Sequence, residues 1–512
     1  MSATDEVIDP DALPDPPLYL AAEIRRLELG AAAAGLALME RAGAAAAQLI
    51  DSLIPDEDPV LFLAGPGNNG GDAWVAASLL HARGRAVTLV CRADPAGLPA
   101  DAAAARLAYV QAGGAVQADI PARQTWSLAV DGLFGVGLTR PVRGQDARLI
   151  EHINALPCPR LALDLPSGLS ADNGRALGRA VAAQHTLAFL GLKPGYYGAD
   201  GPEHCGTLHL ASLGLAQQAW VYPRGRLITG APALPRRARD SHKGKYGRIG
   251  IVGGAPGWAG AALLAARAVL AAGGGLVAAG LLDGRLAIDP GQPEVMLRSA
   301  EELAAGSGLD VLAVGPGLGQ DGRAQSLLKT ALTCVCPLVL DADALNLLAI
   351  HPALMNMAAE RAVPTVITPH PGEAARLLGA DTEAVQGDRL GCARALARRL
   401  HAWTVLKGLG SIVAAPEGEN YWVNASGHPA LAAPGMGDVL TGLIAARLAR
   451  LPVQPALTGA VWLHGKAGED GAAWLGGAEG LRAGEVVELV RSRINRGASA
   501  ASGPNGPGRD GK

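Results

Sequence analysis

The residues Gly435-Met436-Gly437-Asp438-Val439-Leu440-Thr441-Gly442 set a glycine-rich turn and one carboxylate at the head of an apolar helical run, Val439 to Leu448. The free N–H groups of a helix start attract anions, phosphate included. A carboxylate in that place repels phosphate and is costly unless it has chemistry to do. The chemistry that fits is removal of a proton from a substrate hydroxyl as the hydroxyl attacks a nucleotide phosphate. The competing reading makes Asp438 an N-cap, the common job of Asp at a helix start.

Several other segments of the second half could converge on the same point. His242 to Gly247 precedes a strand-like run, and Gly253 to Ala261 follows it. Gly315-Pro316-Gly317-Leu318-Gly319, Asp341 to Asn346, Thr368 to Glu373 and Lys407-Gly408-Leu409-Gly410-Ser411 each follow another such run. These loops let backbone approach a ligand closely and bring donors and charges suited to nucleotide phosphates. None has the G-x-x-x-x-G-K-[ST] spacing of a Walker loop. Taken singly, His370 reads equally as a packed loop histidine and Lys407 as a solvated strand-end charge.

The first half carries a different system. Gly65-Pro66-Gly67-Asn68-Asn69-Gly70 has the G-x-G-x-x-G spacing that brings pyrophosphate to backbone N–H groups. The acidic residue that would hold a ribose is missing at the next strand end, where Cys91-Arg92 stand, so a hydride-transferring domain is disfavoured. The cluster Asn68-Asn69-Gly70-Gly71-Asp72 is too rich in side-chain oxygen for a mere turn. Asp131 and Asp164 end later strands, and Ser167 follows the second of them. In a parallel sheet these residues meet at one edge, where Asn69, Asp131 and Ser167 could hold a hard cation through oxygen. The plainer reading has each Asp capping a helix or a turn.

The elements that must position these residues follow from hydrophobic period. Val60–Ala64, Ala86–Val90, Leu128–Val130 and Leu161–Leu163 read as buried parallel strands, and 31–53 and 71–83 as helices. Alternation of this kind predicts a doubly wound α/β domain with its ligands at the C-terminal strand ends. It stops near Gly214, and a second α/β series starts at Gly247. Expected boundaries are an N-terminal extension over 1–17, a first domain over 18–216, a linker over 217–240, a second domain over 241–490 and a disordered polar tail over 497–512. A length of 512 residues fits this, at roughly 150 residues per domain. A formal net charge of −3, with both signs spread along the chain, gives no electrostatic case for nucleic acid or a charged membrane. The six cysteines suit neither a disulfide framework nor a zinc site, and read as reduced thiols. Apolar stretches break before about 20 residues, and the acidic, proline-rich start is no signal peptide, so a cytoplasmic protein without membrane spans is expected.

Asn68 to Asp72, Asp131 to Pro141, Leu163 to Gly168, Lys193-Pro194-Gly195 and the run Gly35 to Gly43 together resemble the N-terminal epimerase domain of the bifunctional NAD(P)H-hydrate repair enzymes. The second half resembles the ADP-dependent dehydratase domain of the same family, which has a ribokinase-like fold. The resemblance implies a Rossmann-like α/β epimerase followed by a ribokinase-like α/β dehydratase. The epimerase would interconvert the R and S hydrates of NADH and NADPH at nicotinamide C6. It implies potassium at Asn69, Asp131 and Ser167, and substrate contacts from Asn68, Asn69, Gly70, Gly71, Asp72, Gly135, Val136, Gly137, Leu138, Thr139, Arg140, Pro141 and Asp164, with Asp164 as the acid/base residue. For the dehydratase it implies Asp438 as catalytic base and Ala261, Gly317, His370 and Asp438 against the hydrate. Lys407, Gly408, Leu409, Gly410, Ser411 and Gly437 would contact the adenine nucleotide ADP, with Mg²⁺ offsetting phosphate charge. Homo-oligomers are also expected on this resemblance.

Ala73, His428, Leu431 and Pro434 depart from the family pattern, which has Gly, Asn, Met and Gly at the matching places. Two alternatives stand beside this reading: a ribokinase-like small-molecule kinase, and a first half that is a non-catalytic binding module.

Overall fold

The computed structural model describes residues 7–215 and 220–500. The chain divides into two compact units between Leu227 and Ile228. Residues 1–6, 216–219 and 501–512, which include parts of the expected extension, linker and tail, lie outside the described residues.

The first unit is built on an eight-stranded sheet, in spatial order Val7–Ile8, Thr207–Ala211, His185–Phe189, Arg160–Leu163, Leu128–Gly132, Val60–Ala64, Val87–Cys91 and Val116–Gln117. Only Val7–Ile8 runs antiparallel to its neighbour. Val60–Ala64 shows why the sheet is covered on both sides. Its side chains alternate across the sheet, with Val60, Phe62 and Ala64 joining one apolar cluster and Leu61 and Leu63 another. The chain leaves this strand toward Val87–Cys91 and returns on its other side at Leu128–Gly132. The strand order therefore reverses between Val60–Ala64 and Leu128–Gly132, where such sheets open a ligand crevice.

The second unit follows the same logic. Its strands lie in the order Met296–Arg298, Leu276–Leu281, Arg248–Gly253, Val311–Val314, Leu338–Leu340, Thr365–Ile367, Trp403–Leu406, Ser411–Ala414 and Tyr421–Asn424. The first seven are parallel, and each of the last two runs antiparallel to the strand before it. Its order reverses between Arg248–Gly253 and Val311–Val314.

Both reversals use the same glycine device. A Cβ on Gly65 would lie 1.8 Å from Leu133 O, and one on Gly253 would lie 2.1 Å from Pro316 O. Only glycine lets the two loops flanking each crevice touch through backbone.

Some boundaries differ from the expected ones. The expected helix over 31–53 is two helices, Ala21–Ala33 and Leu38–Leu53, broken where Gly35 takes φ +70°. The helix expected over 71–83 starts earlier, as Asn68–Ala82, so the Asn-rich cluster is its first turn. His185–Phe189 and Thr207–Ala211 were not among the expected strands. Val7–Ile8 and Pro17–Leu18 give strands to the segment read as an extension, and Gly225–Ile228 gives one to the segment read as a linker. The last helix, Ala483–Ala500, runs past the expected start of the tail at Gly497. No described helix is long and apolar enough to cross a membrane.

Candidate active sites

At the crevice of the first unit lies a cavity of about 930 Å³. Asn68, Asn69, Asp72, Gly135, Val136, Gly137, Leu138, Thr139, Arg140 and Asp164 all line it. Gly70 and Gly71 instead serve packing: Cβ atoms on them would lie 2.1 Å from Gly65 O and 2.3 Å from Met39 Cε. Pro141 is exposed and outside the cavity wall. Ala73 is buried against Gly132, where a Cβ would come within 2.7 Å of the alanine methyl. The alanine found in place of the family's glycine is thus accommodated by a glycine opposite.

Asp131 and Ser167 are wholly buried and bonded to each other. Ser167 Oγ donates to Asp131 Oδ1 at 2.6 Å, Ser167 N donates to Oδ2 at 2.8 Å, and Leu133 N donates to Oδ1 at 3.2 Å. Phe134 N donates to Ser167 Oγ at 2.8 Å, which ties this pair to the cavity wall. Burial pushes the Asp131 carboxyl up to about 6, against the lowering effect of the Ser167 hydrogen bonds. Asn69 is also buried, yet neither its amide oxygen nor its amide nitrogen has a hydrogen-bond partner. An orphaned amide costs on the order of 1–3 kcal/mol and marks a place for a ligand.

Asp164 lies beside it. A Cβ on Gly135 would be 3.3 Å from Asp164 Oδ2 and 3.4 Å from Asn69 Cγ, so glycine leaves room for both side chains. Asp164 has φ +62°, a left-handed conformation that costs a residue with a Cβ about 1–3 kcal/mol. Three contacts hold it there. Lys193 Nζ, wholly buried, donates to Asp164 Oδ1, Phe189 N donates to the same oxygen at 3.3 Å, and Tyr196 Oη donates to Asp164 O at 2.5 Å. Asp164 is therefore no turn cap but half of a buried ion pair.

Sequence reasoning gave Lys193 no role, although its Lys-Pro-Gly motif drew attention. It also passed over Glu28 and Glu40, which line the cavity from the two preceding helices and carry no local motif. With Asp164 they surround Asp72, whose carboxyl is held well above the usual carboxylate range by burial first and then by these three charges.

In the second unit Asp438 is the third residue of the helix Met436–Leu448, whose N-cap is Gly435 at φ +83°. No side chain caps this helix, so the N-cap reading of Asp438 fails. The helix is buried along most of its length. Gly442 allows a close crossing with the helix Ala259–Ala271, since a Cβ there would lie 2.0 Å from Ala265 O.

Beside Asp438 lies a second carboxylate, Asp341, at the end of the strand Leu338–Leu340. Lys407 Nζ donates to Asp341 Oδ1 at 2.6 Å and Thr441 Oγ1 donates to Oδ2 at 2.7 Å. A Cβ on Gly437 would be 3.3 Å from Lys407 Nζ, so glycine keeps that ammonium uncovered on the helix side. Burial, then the charge of Asp341, push the Asp438 carboxyl up to about 7, and Lys407 works against the shift. Lys407 is thus not the solvated charge that its position alone allows. Thr441 stands one turn after Asp438 in an apolar helix, a polar residue whose spacing could have disclosed the pair.

His370 caps the helix Pro371–Leu378: its Nδ1 accepts from Gly372 N at 3.0 Å, while Glu373 Oε2 accepts from His370 N at 2.8 Å. Burial, then Lys407, lower its affinity for a proton, in keeping with an Nδ1 that accepts from backbone. Gly317 takes φ +58°, and a Cβ there would meet Trp258 O at 2.7 Å and Ala261 Cβ at 3.3 Å. Ala261 and Gly317 are therefore neighbours at the crevice of this unit. Gly408 and Gly410 take φ +130° and +61°, Leu409 is exposed between them, and Ser411 Oγ donates to Gly408 O at 2.8 Å. Of the departures, His428 caps the turn Pro429–Leu431, and Leu431 packs against Gly468. Neither disturbs the turn that presents Asp438.

The NAD(P)H-hydrate dehydratase family profile matches residues 249–480, and that of the YjeF-related protein N-terminus matches residues 35–195. The chain is 39% identical to the bifunctional NAD(P)H-hydrate repair enzyme of Escherichia coli (strain K12), covering 93% of this chain and 94% of that one. It is 38% identical to the bifunctional NAD(P)H-hydrate repair enzyme of Leishmania infantum, over 91% and 90% of the two chains. Among solved structures, the ADP/ATP-dependent NAD(P)H-hydrate dehydratase of Bacillus subtilis, co-crystallised with ATP and Mg²⁺, is 32% identical at a TM-score of 0.45. That match covers 52% of this chain and 94% of the Bacillus chain.

Proposed function

The chain belongs to the bifunctional NAD(P)H-hydrate repair enzymes, and from that premise we propose how its residues divide the work. The first unit is the epimerase, which interconverts the R and S hydrates. The second is the ADP-dependent dehydratase, which returns the S hydrate to NADH or NADPH. Relatives matching nearly the full length of both halves leave the small-molecule-kinase reading and the inert-module reading without support.

In the dehydratase Asp438 takes the proton of the C6 hydroxyl. The hydroxyl oxygen attacks the terminal phosphorus of ADP, AMP leaves, and loss of phosphate from C6 together with a proton from C5 restores the dihydronicotinamide. The observation that carries this is the Asp438 carboxyl, poised at about 7 in the first turn of a helix and beside the Asp341–Lys407 pair. A base of that strength both exists as carboxylate and accepts a proton near neutral pH. Lys407 is placed to meet a phosphate through its uncovered side, and the loop Gly408 to Ser411 to receive the nucleotide. Ala261, Gly317 and His370 are the residues that would face the hydrate. No cluster of three or more His, Cys, Asp or Glu side chains exists among the described residues to hold a metal. Mg²⁺ therefore fits as an ion carried chiefly by the nucleotide phosphates, whose charge it offsets.

The pH profile of dehydration is expected to fall tenfold per unit below about pH 7, as Asp438 becomes protonated. In Asp341→Asn the carboxylate that raises Asp438 is gone and Lys407 is released toward it, so the acid limb moves to lower pH. Measurement of kcat/KM between pH 5 and 9 checks both; a limb that stays in place refutes the coupling.

In the epimerase Asp164, held by Lys193, gives a proton to the C6 oxygen as it leaves as water and the N1 lone pair forms C6=N1, and takes a proton back as water re-adds to the other face; Asn68, Asn69, Asp72 and Gly135 to Arg140 receive the substrate. The orphaned amide of Asn69 lines the same cavity as Phe134, whose N–H is held by Ser167, and the amide, carboxylate and hydroxyl oxygens of Asn69, Asp131 and Ser167 would make a donor set that suits potassium. A potassium ion held by these residues would supply positive charge at the cavity. Asn69→Ala is expected to raise the K⁺ concentration for half-maximal epimerisation at least tenfold, read in a titration against a choline background. An unchanged K⁺ response removes Asn69 from the set.

The assay that tests the whole reading is recovery of dihydronicotinamide absorbance from mixed R and S NADH hydrate with ADP, Mg²⁺ and K⁺. Complete recovery is expected; a stall at the S fraction leaves only the second unit active, and no recovery refutes the dehydratase.

A further inference from the structure

We infer that Cys334 and Cys336 form a dithiol that hydroperoxides oxidise to an intrachain disulfide. The pair occupies the turn between the helix Gly322–Ala331 and the strand Leu338–Leu340. Val335 between them is exposed, so the two cysteines, two residues apart, turn inward together. Their Sγ atoms are 3.5 Å apart, in direct contact. A Cβ on Gly306, which has φ +69°, would lie 2.6 Å from Cys334 Cβ and 3.3 Å from Cys336 Sγ, so glycine makes the space the thiols fill.

One cation is built around this turn. Arg361 Nη1 donates to Leu332 O at 2.7 Å and to Cys334 O at 3.0 Å, and Nη2 donates to Cys336 O at 2.8 Å. The same Nη2 lies 3.8 Å from Cys334 Sγ. The two Sγ atoms share one hydrogen bond in which either can be the donor, and a thiol pair of this kind beside a guanidinium is stabilised with one sulfur as thiolate, the species that reacts. The bond to Cys336 first, and then the Arg361 charge, lower the Cys334 thiol from the usual thiol range against the effect of burial. Burial moves the other thiols the opposite way: Cys91, Cys158 and Cys392 are raised, and Cys205 is pushed up to about 12.

The reaction balances without a further co-reactant. The Cys334 thiolate attacks one peroxide oxygen, the O–O bond breaks, and the departing hydroxide takes a proton to become water. This leaves a sulfenic acid on Cys334. The Cys336 sulfur then attacks Cys334 Sγ, the S–O bond breaks, and the hydroxyl leaves as water with the Cys336 proton. Two thiols and one hydrogen peroxide give one disulfide and two waters. The turn sits at the N-terminal ends of the parallel strands, away from the C-terminal ends that carry Asp341 and Lys407, so the Asp438 site takes no part.

The test is a hydrogen peroxide titration of the reduced full-length protein, followed by alkylation and peptide mass spectrometry. Exposure and thiolate character make opposite predictions, because Cys91 and Cys392 are half-buried whereas Cys334 and Cys336 are buried. The expected result is that the Cys334–Cys336 peptide loses 2 Da and resists alkylation at tenfold less peroxide than modifies Cys91 or Cys392, reversibly with dithiothreitol. In Cys336→Ser a dimedone adduct should accumulate on Cys334 instead. Modification of Cys91 or Cys392 first, or oxidation of Cys334 without a disulfide in the unsubstituted protein, overturns the proposal.

Discussion

Asp438→Asn is expected to lower dehydratase turnover by about 10² or more, the scale of general-base catalysis, while nucleotide affinity stays the same or tightens. The two effects separate for a physical reason. The carboxylate lies in the first turn of a helix, near the Lys407 ammonium that is placed to meet phosphate. Its charge opposes nucleotide binding in the ground state and is useful only as the hydroxyl gives up its proton. The amide keeps size and polarity but is no base. Titration calorimetry with ADP, alongside turnover of S NADH hydrate, distinguishes a lost base from a lost fold. Near wild-type turnover would remove Asp438 as the base. Loss of ADP binding along with turnover would make the residue structural.

The second large effect is expected at Asp164. Asp164→Asn should reduce epimerisation by about 10²–10⁴ and leave dehydration of the S hydrate untouched, so recovery from a mixed substrate stalls with the R form left over. Asn is the suitable replacement because it tolerates the left-handed backbone at φ +62° better than Ala. The substitution also leaves Lys193 as a buried ammonium without its counter-charge, and removing one member of a buried pair costs about 3–5 kcal/mol. A lower melting temperature for the first unit is therefore expected with the loss of activity. Asp164→Asn combined with Lys193→Met controls for this, since replacing both charges is far less costly than breaking the pair. Stability should return in the double variant and epimerisation should not. Epimerisation that recovers with stability would make the ion pair structural and leave the acid/base role to another residue.

The cores and the site were legible in the sequence to different depths. Val60–Ala64 was readable to the residue, because a strand covered on both faces must be apolar at every position. The Asn-rich cluster was legible as part of the cavity wall, although its place in a helical turn was not, since Asn and Gly both argue locally against a helix. His185–Phe189 was missed because His185 and Thr186 interrupt its apolar run, and in the structure Thr186 is satisfied by donating to Cys205 O at 2.7 Å.

What the sequence by itself determined was which residues gather at the two candidate sites and which glycine turns and apolar runs they follow. Local spacing and side-chain type settle such matters: Asp438 beside its glycines, Asp131 and Asp164 after apolar runs, Asn69 after a glycine turn. What only the tertiary structure decided was their state. Asp341 and Lys407 are 66 positions apart, Asp341 and Thr441 are 100 apart, and Asp164 and Lys193 are 29 apart. Burial and neighbouring charge set whether a carboxylate is a base, an acid or half of an ion pair. Both are properties of the folded interior, where residues distant in the chain share one desolvated space.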